Sequence, residues 1–319
     1  MRLTTFQRMI LVGLMMACLG SNMAYGWQSE ITLSDDGVVN SSFPTSVSPG
    51  PIRFKESREG NWNPESFECE SPYSEPLETD RHDFTQSTGV VGRRVLQLEY
   101  GFLYSFKDEE GEQEDTYTTP ELLVRFGLTD RLEIRSRWNL AWKDFSSGEN
   151  IAGFLDPLLS LKYQVTDHAG LIPKSALELR TSAPLGSESL SLEQWKPGFD
   201  FIYGWEFGEF FSLAGSTGAT SNGLGDIAFI DETFDPEDQF VAWTQSVALG
   251  AELTRRTTGY FEWFGIFAND RDEAFRTNYL NLGVDYLLNN NMVVDVRFGW
   301  GLNNQSDDIF AGVGGAVRF

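Results

Sequence analysis

The chain has 319 residues, with 47 Asp and Glu against 24 Lys and Arg and a formal net charge of −23. Such acidity argues against a nucleic-acid partner, because binding to phosphates requires positive charge. The two cysteines and two histidines are too few for a zinc site of the usual Cys/His type. The sequence therefore predicts no nucleic-acid partner, no metal and no cofactor.

Residues 1–26 have the pattern of a secretory signal peptide. Two arginines, Arg2 and Arg8, precede a short apolar stretch, residues 9–19, and Ala24-Tyr25-Gly26 offers a cleavage site before Trp27. The apolar stretch is too short to cross a membrane as a stable helix. We therefore expect an exported chain that begins at Trp27. Lipidation of Cys18 is an alternative that the sequence leaves open.

Residues 27–94 form the next segment, which we predict to be a flexible periplasmic N-terminal extension. Up to about residue 79 it is rich in Ser, Glu, Pro and Asn, with few aliphatic residues and no regular period. Such a segment buries too little apolar area to offset the entropy lost on ordering. A plug or a docking arm is the alternative function for it.

Residues 95–319 alternate apolar and polar side chains with a period of two, which is the signature of β-strands. Most of the segments approach the nine to eleven residues that a tilted strand needs to cross a bilayer. They predict an all-β fold, a transmembrane antiparallel up-and-down β-barrel of about twelve strands, with both termini in the periplasm. An acidic loop over residues 107–115 is expected between the first two strands. The predicted strands cover about residues 96–106, 120–127, 132–142, 155–164, 174–182, 198–207, 210–220, 240–253, 260–268, 280–286, 292–300 and 310–319.

The sixth predicted strand indicates that one face of the sheet meets lipid. Phe199, Phe201, Tyr203, Trp205 and Phe207 occupy its alternate positions. Five successive aromatic residues on one face are typical of a lipid-facing wall with aromatic girdles at the membrane interfaces.

The opposite face of the strands carries charges of both signs, which we expect to line the lumen. A charged side chain that faced lipid near the bilayer centre would cost several kcal/mol. Two interpretations stay open: a salt-bridged ladder that fills a narrow barrel, and a hydrated pore whose field selects solutes. The predicted lumen-lining residues are Glu99, Glu121, Arg125, Glu133, Arg135, Arg137, Lys162, Glu178, Arg180, Asp200, Glu206, Asp285, Asp295, Arg297 and Arg318, and Asp156, Glu252 and Glu262 share their face.

An outer-membrane hydrolase would need a nucleophile oriented by a base, usually histidine. His82 precedes the first predicted strand and His168 lies in a short turn, and neither has a suitable serine partner. The sequence therefore predicts no enzyme and no catalytic residue.

Three stretches carry a resemblance to a known family. Residues 80–85 read DRHDFT, residues 120–133 read PELLVRFGLTDRLE, and residues 307–319 read DDIFAGVGGAVRF. Over about residues 80–319 the chain resembles the outer-membrane transporters linked with the meta-cleavage pathway of phenol degradation, although His82 stands where that family usually has proline. The resemblance implies a barrel in the cell outer membrane that passes small, often hydrophobic or aromatic, compounds. It also implies that the barrel-assembly machinery recognises the terminal Phe319.

The sequence as a whole predicts a monomeric outer-membrane β-barrel that acts as a passive channel or transporter. Its expected partners are outer-membrane lipid, the assembly machinery and a small-molecule solute. One alternative is a barrel without transport, which serves as an anchor or as a surface-interaction protein displayed through its acidic loops. Another is a secreted soluble β-sandwich.

Overall fold

The computed structural model describes residues 73–81, 84–109, 111–191, 193–208, 210–223, 240–268 and 275–319. The predicted signal peptide and residues 27–72 of the predicted extension lie outside these described residues. Within the described ranges, no helix is long and apolar enough to cross a membrane. The strands are β1 (Leu96–Glu109), β2 (Glu112–Gly127), β3 (Leu132–Phe145), β4 (Asn150–Phe154), β5 (Leu158–Thr166), β6 (Lys174–Ser182), β7 (Lys196–Phe207), β8 (Phe211–Ser221), β9 (Val241–Thr254), β10 (Thr257–Ala268), β11 (Phe275–Asn289), β12 (Met292–Gly301) and β13 (Ile309–Arg318).

The strands form one closed antiparallel sheet. Strand β1 pairs with β2 on one side and with β13 on the other, and the remaining strands pair in chain order. The short β4 and the longer β5 both pair with β3, so together they occupy one position in the wall. The predicted fold class, an all-β antiparallel barrel of twelve strands, is confirmed.

The first and last strands close the barrel as the sequence predicts. Their register runs from Gln97 opposite Arg318 to Phe106 opposite Ile309. Beyond it, the Phe319 N–H donates to the Leu96 carbonyl at 2.8 Å, and the Leu96 N–H donates to the Phe319 carbonyl at 3.2 Å. Closure removes the sheet edges, whose unpaired backbone groups could not be satisfied in hydrocarbon.

Two predicted segments differ in the structure. The acidic loop predicted over residues 107–115 is wrong, because β1 and β2 continue as a hairpin in which Lys107 lies opposite Glu114. The fourth strand, predicted to begin at residue 155, begins at Leu158 as β5, and residues 155–157 separate it from the short β4. There Pro157 has no N–H to donate to a ladder, and Asp156 accepts a hydrogen bond from the Gly186 N–H at 3.0 Å.

The two ends of the barrel differ in the length of their connections. We call one end the short-turn end; it holds both ends of the barrel chain and the connections at residues 128–131, 167–173, 208–210, 255–256 and 290–291. We call the other the long-loop end; it includes the connections at residues 183–195, 222–240 and 302–308. In outer-membrane barrels the short turns face the periplasm.

Candidate functional site

A segment before the first strand lies inside the barrel. We call residues 77–91 the plug loop, of which residues 82 and 83 lie outside the described part of the chain. At the short-turn end the Leu77 N–H donates to the Asn290 carbonyl at 2.9 Å. At the other end of the loop the Val91 N–H donates to the Glu133 carboxylate at 2.8 Å. These contacts hold both ends of the plug loop against the barrel, while the flexible extension over residues 27–94 and its plug or docking-arm alternative stay predictions. The domain boundary at residue 94 stays a prediction.

Asp80 of the plug loop contacts three cations of the wall. Its Oδ2 lies 2.7 Å from Lys162 Nζ, 3.3 Å from Arg135 Nη2 and 3.4 Å from Arg125 Nη1. These cations come from β5, β3 and β2, and the Asp80 N–H also donates to Glu99 of β1 at 2.8 Å. The single residue Asp80 thus joins four strands from inside the barrel.

The next residue, Arg81, makes the opposite contacts. Its guanidinium donates to Glu121 at 2.7 Å and to Asp295, which belong to β2 and β12. Arg297 of β12 reaches the same Glu121 at 2.8 Å. Because Asp80 engages cations and Arg81 engages anions, this dipeptide matches two oppositely charged regions of the wall.

The carboxylate of Glu262 on β10 binds the backbone of the plug loop at Phe84 and Thr85. It accepts hydrogen bonds from the Thr85 N–H at 2.6 Å and from the Phe84 N–H at 3.1 Å. The Thr85 hydroxyl donates to Ser246 at 2.6 Å. Buried N–H groups need such acceptors, because leaving one unpaired costs about 1–3 kcal/mol.

Two glycines make room for Arg81 at the seam between the first and last strands. A Cβ atom at Gly101 of β1 or at Gly314 of β13 would collide with its guanidinium. Similarly, a Cβ at Gly312 would lie 2.8 Å from Nε of Arg297. The glycines on the inner face of the last strand therefore leave space for arginine side chains.

Most of the predicted lumen-lining residues are buried, and several pair with residues on the same or nearby strands of the wall. Their balanced ion pairs include Arg125 with Glu133 at 3.0 Å and Arg135 with Glu178 at 3.0 Å. Arg137 and Asp285 are half-buried, and Glu206 is exposed. The buried members of the predicted set are Glu99, Glu121, Arg125, Glu133, Arg135, Lys162, Glu178, Arg180, Asp200, Asp295, Arg297 and Arg318.

Arg180 and Asp200 pair with each other, and Arg318 has a separate role at the short-turn end. The Arg318 guanidinium donates to the Glu75 carbonyl at 2.7 Å and to Asn291 Oδ1 at 2.9 Å. It thereby fixes the point at which the chain enters the barrel.

We call the buried charged side chains around Asp80 and Arg81 the charged layer. Between this layer and the long-loop end, the lumen contains an apolar cluster that was not predicted from the sequence. Its central members are Leu103, Phe264, Tyr279 and Phe310, on β1, β10, β11 and β13. Phe84 of the plug loop packs against it. Strand alternation could have found the cluster, because Phe310 is in phase with the inward-facing Arg318. The inward position of Phe310 was missed because aromatic residues were predicted to face lipid.

The closed strand topology and the charged interior define the class of the protein: it is an outer-membrane β-barrel. Residues 79–319 match the family described as "Putative MetA-pathway of phenol degradation", and the chain belongs to that family. The resemblance noted in the sequence is thereby confirmed. A comparison with curated protein sequences finds no match.

Solved structures with similar folds include bacterial outer-membrane proteins. The COG4313 outer membrane channel from Pseudomonas putida F1 is 13% identical, with 76% of this chain and 100% of that chain covered and a TM-score of 0.57. The β domain of the Bordetella autotransporter Brka is 10% identical, with 71% and 100% covered and a TM-score of 0.48. The NanC porin is 9% identical, with 70% and 100% covered and a TM-score of 0.44. At these identities the likeness concerns the fold.

Proposed function

We propose that the protein is an outer-membrane channel for the passive passage of small molecules and that its plug loop controls the lumen. The observation that carries the proposal is the way the loop is held. Asp80 and Arg81 bind to the wall through ion pairs and hydrogen bonds alone. Such contacts can break and re-form, so the loop can leave the lumen while the barrel stays closed.

The apolar cluster above the charged layer supports hydrophobic or aromatic compounds as solutes. Phe264, Tyr279 and Phe310 are all less than 3% exposed and face the interior rather than lipid. A solute with an aromatic ring would find complementary surface there. The same proposal includes no catalysis, since the charged groups of the lumen pair with one another and with the plug loop.

The family and the C-terminal strand also support a route to the membrane. In the proposal, the signal peptide directs export, and the barrel-assembly machinery then recognises Phe319 and inserts the barrel. Phe319 is 58% exposed, with its backbone paired to Leu96. An exposed aromatic side chain next to a paired strand is accessible to such a receptor.

The test compares the mature protein with a variant in which a Gly-Ser linker replaces residues 77–91. Both are reconstituted in planar bilayers for conductance and in liposomes for swelling with small neutral solutes. We expect the plug-deleted barrel to conduct steadily and the intact protein to conduct less. A plug-deleted barrel that is folded and inserted, yet impermeable to ions and to every small solute, would refute the proposal.

One observation favours the alternative, a barrel without transport. The ion pairs of Asp80 and Arg81 fill the charged layer, and neither side chain is more than 5% exposed. If this layer stays closed, the protein serves as an anchor or a surface-interaction protein. The same conductance measurement decides between the two, because the intact protein conducts at a low level if it is a channel and stays silent if it is a non-transporting barrel.

A further inference from the structure

Phe84 occupies a position that resembles that of a bound ligand. Its ring stacks on Phe264 with the centroids 4.6 Å apart and the planes within 2°. Phe264 in turn stacks on Tyr279 at 4.9 Å and 21°. Parallel rings at this centroid distance have the stacked arrangement that contributes energy beyond the burial of apolar area.

The surface under Phe84 belongs to the barrel and does not depend on the plug loop. Phe264, Tyr279 and Phe310 come from three strands of the wall, and Phe310 meets the Tyr279 ring edge-on at 5.9 Å. Leu103 of β1 completes the cluster. Strand register fixes the backbone positions of these residues, and their rings pack on one another, so we expect the platform to remain when Phe84 leaves.

Phe84 itself is the least buried part of the stack. It is half-buried, whereas the Phe264 ring beneath it is 2% exposed. Its backbone is held by Glu262 and its neighbour Thr85 by Ser246. The ring is therefore a replaceable cover on a preformed aromatic platform.

We infer that this platform, formed by Phe264, Tyr279, Phe310 and Leu103, is a binding site for a planar aromatic compound, and that Phe84 occupies it until such a compound displaces the ring. The loop is then released at its tip, three residues from Arg81. A solute that binds in place of Phe84 thus shifts the plug loop towards its undocked state, because a ligand favours the state to which it binds better. This second step rests on the proposed channel function, whereas the binding site does not.

The binding test uses purified mature protein in detergent and two probes of nearly equal size. Benzyl alcohol has a planar ring, and cyclohexylmethanol has the same number of heavy atoms without one. Affinities come from ligand-observed NMR titrations. In the Phe84→Leu variant the platform is vacant, and we expect benzyl alcohol to bind roughly two- to tenfold more tightly than in the wild type, the range that one aromatic pair supplies.

Two further variants separate the platform from detergent and from the lipid-facing wall. Phe264→Leu removes the platform and should abolish the saturable binding of benzyl alcohol. Phe261→Leu is the matched control, since it makes the same change on β10 at a lipid-facing position that is 48% exposed. It should bind as the wild type does. Saturable binding that survives Phe264→Leu, or equal affinity for the two probes in Phe84→Leu, would overturn the inference.

Conductance tests the coupling step separately. Benzyl alcohol should raise the open probability of the wild type and leave that of Phe84→Leu, which has no aromatic ring to displace, unchanged. A wild type that conducts but ignores benzyl alcohol overturns the coupling and leaves the channel function standing. If no variant conducts, the channel function fails, and the binding titrations still decide the site.

Discussion

Replacing Asp80 with asparagine should weaken the docking of the plug loop more than any other single change of equal size. The amide would keep the shape of the side chain and lose its charge. Arg125 and Arg135 retain other carboxylates, at 3.0 Å from Glu133 and from Glu178. Lys162 retains only the Ser87 hydroxyl, at 3.5 Å, among the described residues.

The expected magnitude follows from the burial of Lys162. Its side chain and that of Asp80 are both 0% exposed in their ion pair. Removing one partner of a buried pair leaves an uncompensated charge and costs about 3 kcal/mol at the low end of measured cases. That corresponds to a ratio of docked to undocked loop that falls about 100-fold. Asparagine can still accept one hydrogen bond from Lys162, so the low end is the appropriate figure.

Single-channel recording in planar bilayers measures this change as the fraction of time spent in the high-conductance state. We expect that fraction to rise by about 100-fold in Asp80→Asn, until it approaches saturation. Asp130→Asn is the matched control, because Asp130 is exposed in the turn between β2 and β3. The reasoning is refuted if Asp80→Asn shows heat-modifiable migration, the mark of a folded barrel, and yet opens no more often than the wild type.

Three further predictions concern the seam, the long-loop end and assembly. Gly314→Val should displace the Arg81 guanidinium, and its Cβ would also clash with the Tyr100 carbonyl oxygen. Swelling of proteoliposomes is therefore compared at equal amounts of heat-modifiable barrel; it should be several-fold faster than in the wild type, and unchanged swelling would contradict the docking geometry. Burial raises the pKa of Asp307 to about 7, and the nearby Glu114 carboxylate adds to the shift. Because this pKa lies above the ordinary value of 3.8, the stabilisation from protonation is complete below about pH 4 and is lost as the pH rises through about 7. Heat-denaturation midpoints should therefore fall by a few degrees between about pH 5 and about pH 8 in the wild type and stay level in Asp307→Asn. Replacing Phe319 with Asp should reduce insertion into the outer membrane while export continues, and normal barrel yield in membrane fractions would exclude a role for Phe319 in recognition.

The barrel itself could be predicted from the sequence because its wall is encoded locally. A strand alternates its side chains between two faces, so Met292, Val294 and Val296 separate from Asp295 and Arg297 without knowledge of any partner strand. The acidic loop was mispredicted for the reverse reason. Residues 107–115 have no apolar face, and their strand structure depends on pairing such as Lys107 with Glu114 across the hairpin.

From the sequence a plug is only an alternative, because the order of the plug loop comes from distant residues. Arg81 bonds to Asp295, 214 residues away, and Thr85 to Glu262, 177 residues away. Its own composition indicates only a polar segment that cannot fold alone. Strand parity placed Glu121 and Asp295 on the polar face, yet alternation says nothing about what lies between the two walls.

The docking of the plug loop and the closure of the barrel stabilise each other, and the contacts of Arg81 show why. Its guanidinium rests on Gly101 and Gly314, which lie opposite each other across the pairing of the first and last strands. The carboxylates that it binds belong to β2 and β12, one on either side of that seam. The binding surface for Arg81 therefore exists only when β1 and β13 are paired. By thermodynamic linkage, a docked loop must favour the closed seam by the same free energy with which the seam favours docking. The glycine-rich strand at the C-terminus thus serves two purposes, since it completes the wall and makes room for the arginine that holds the plug.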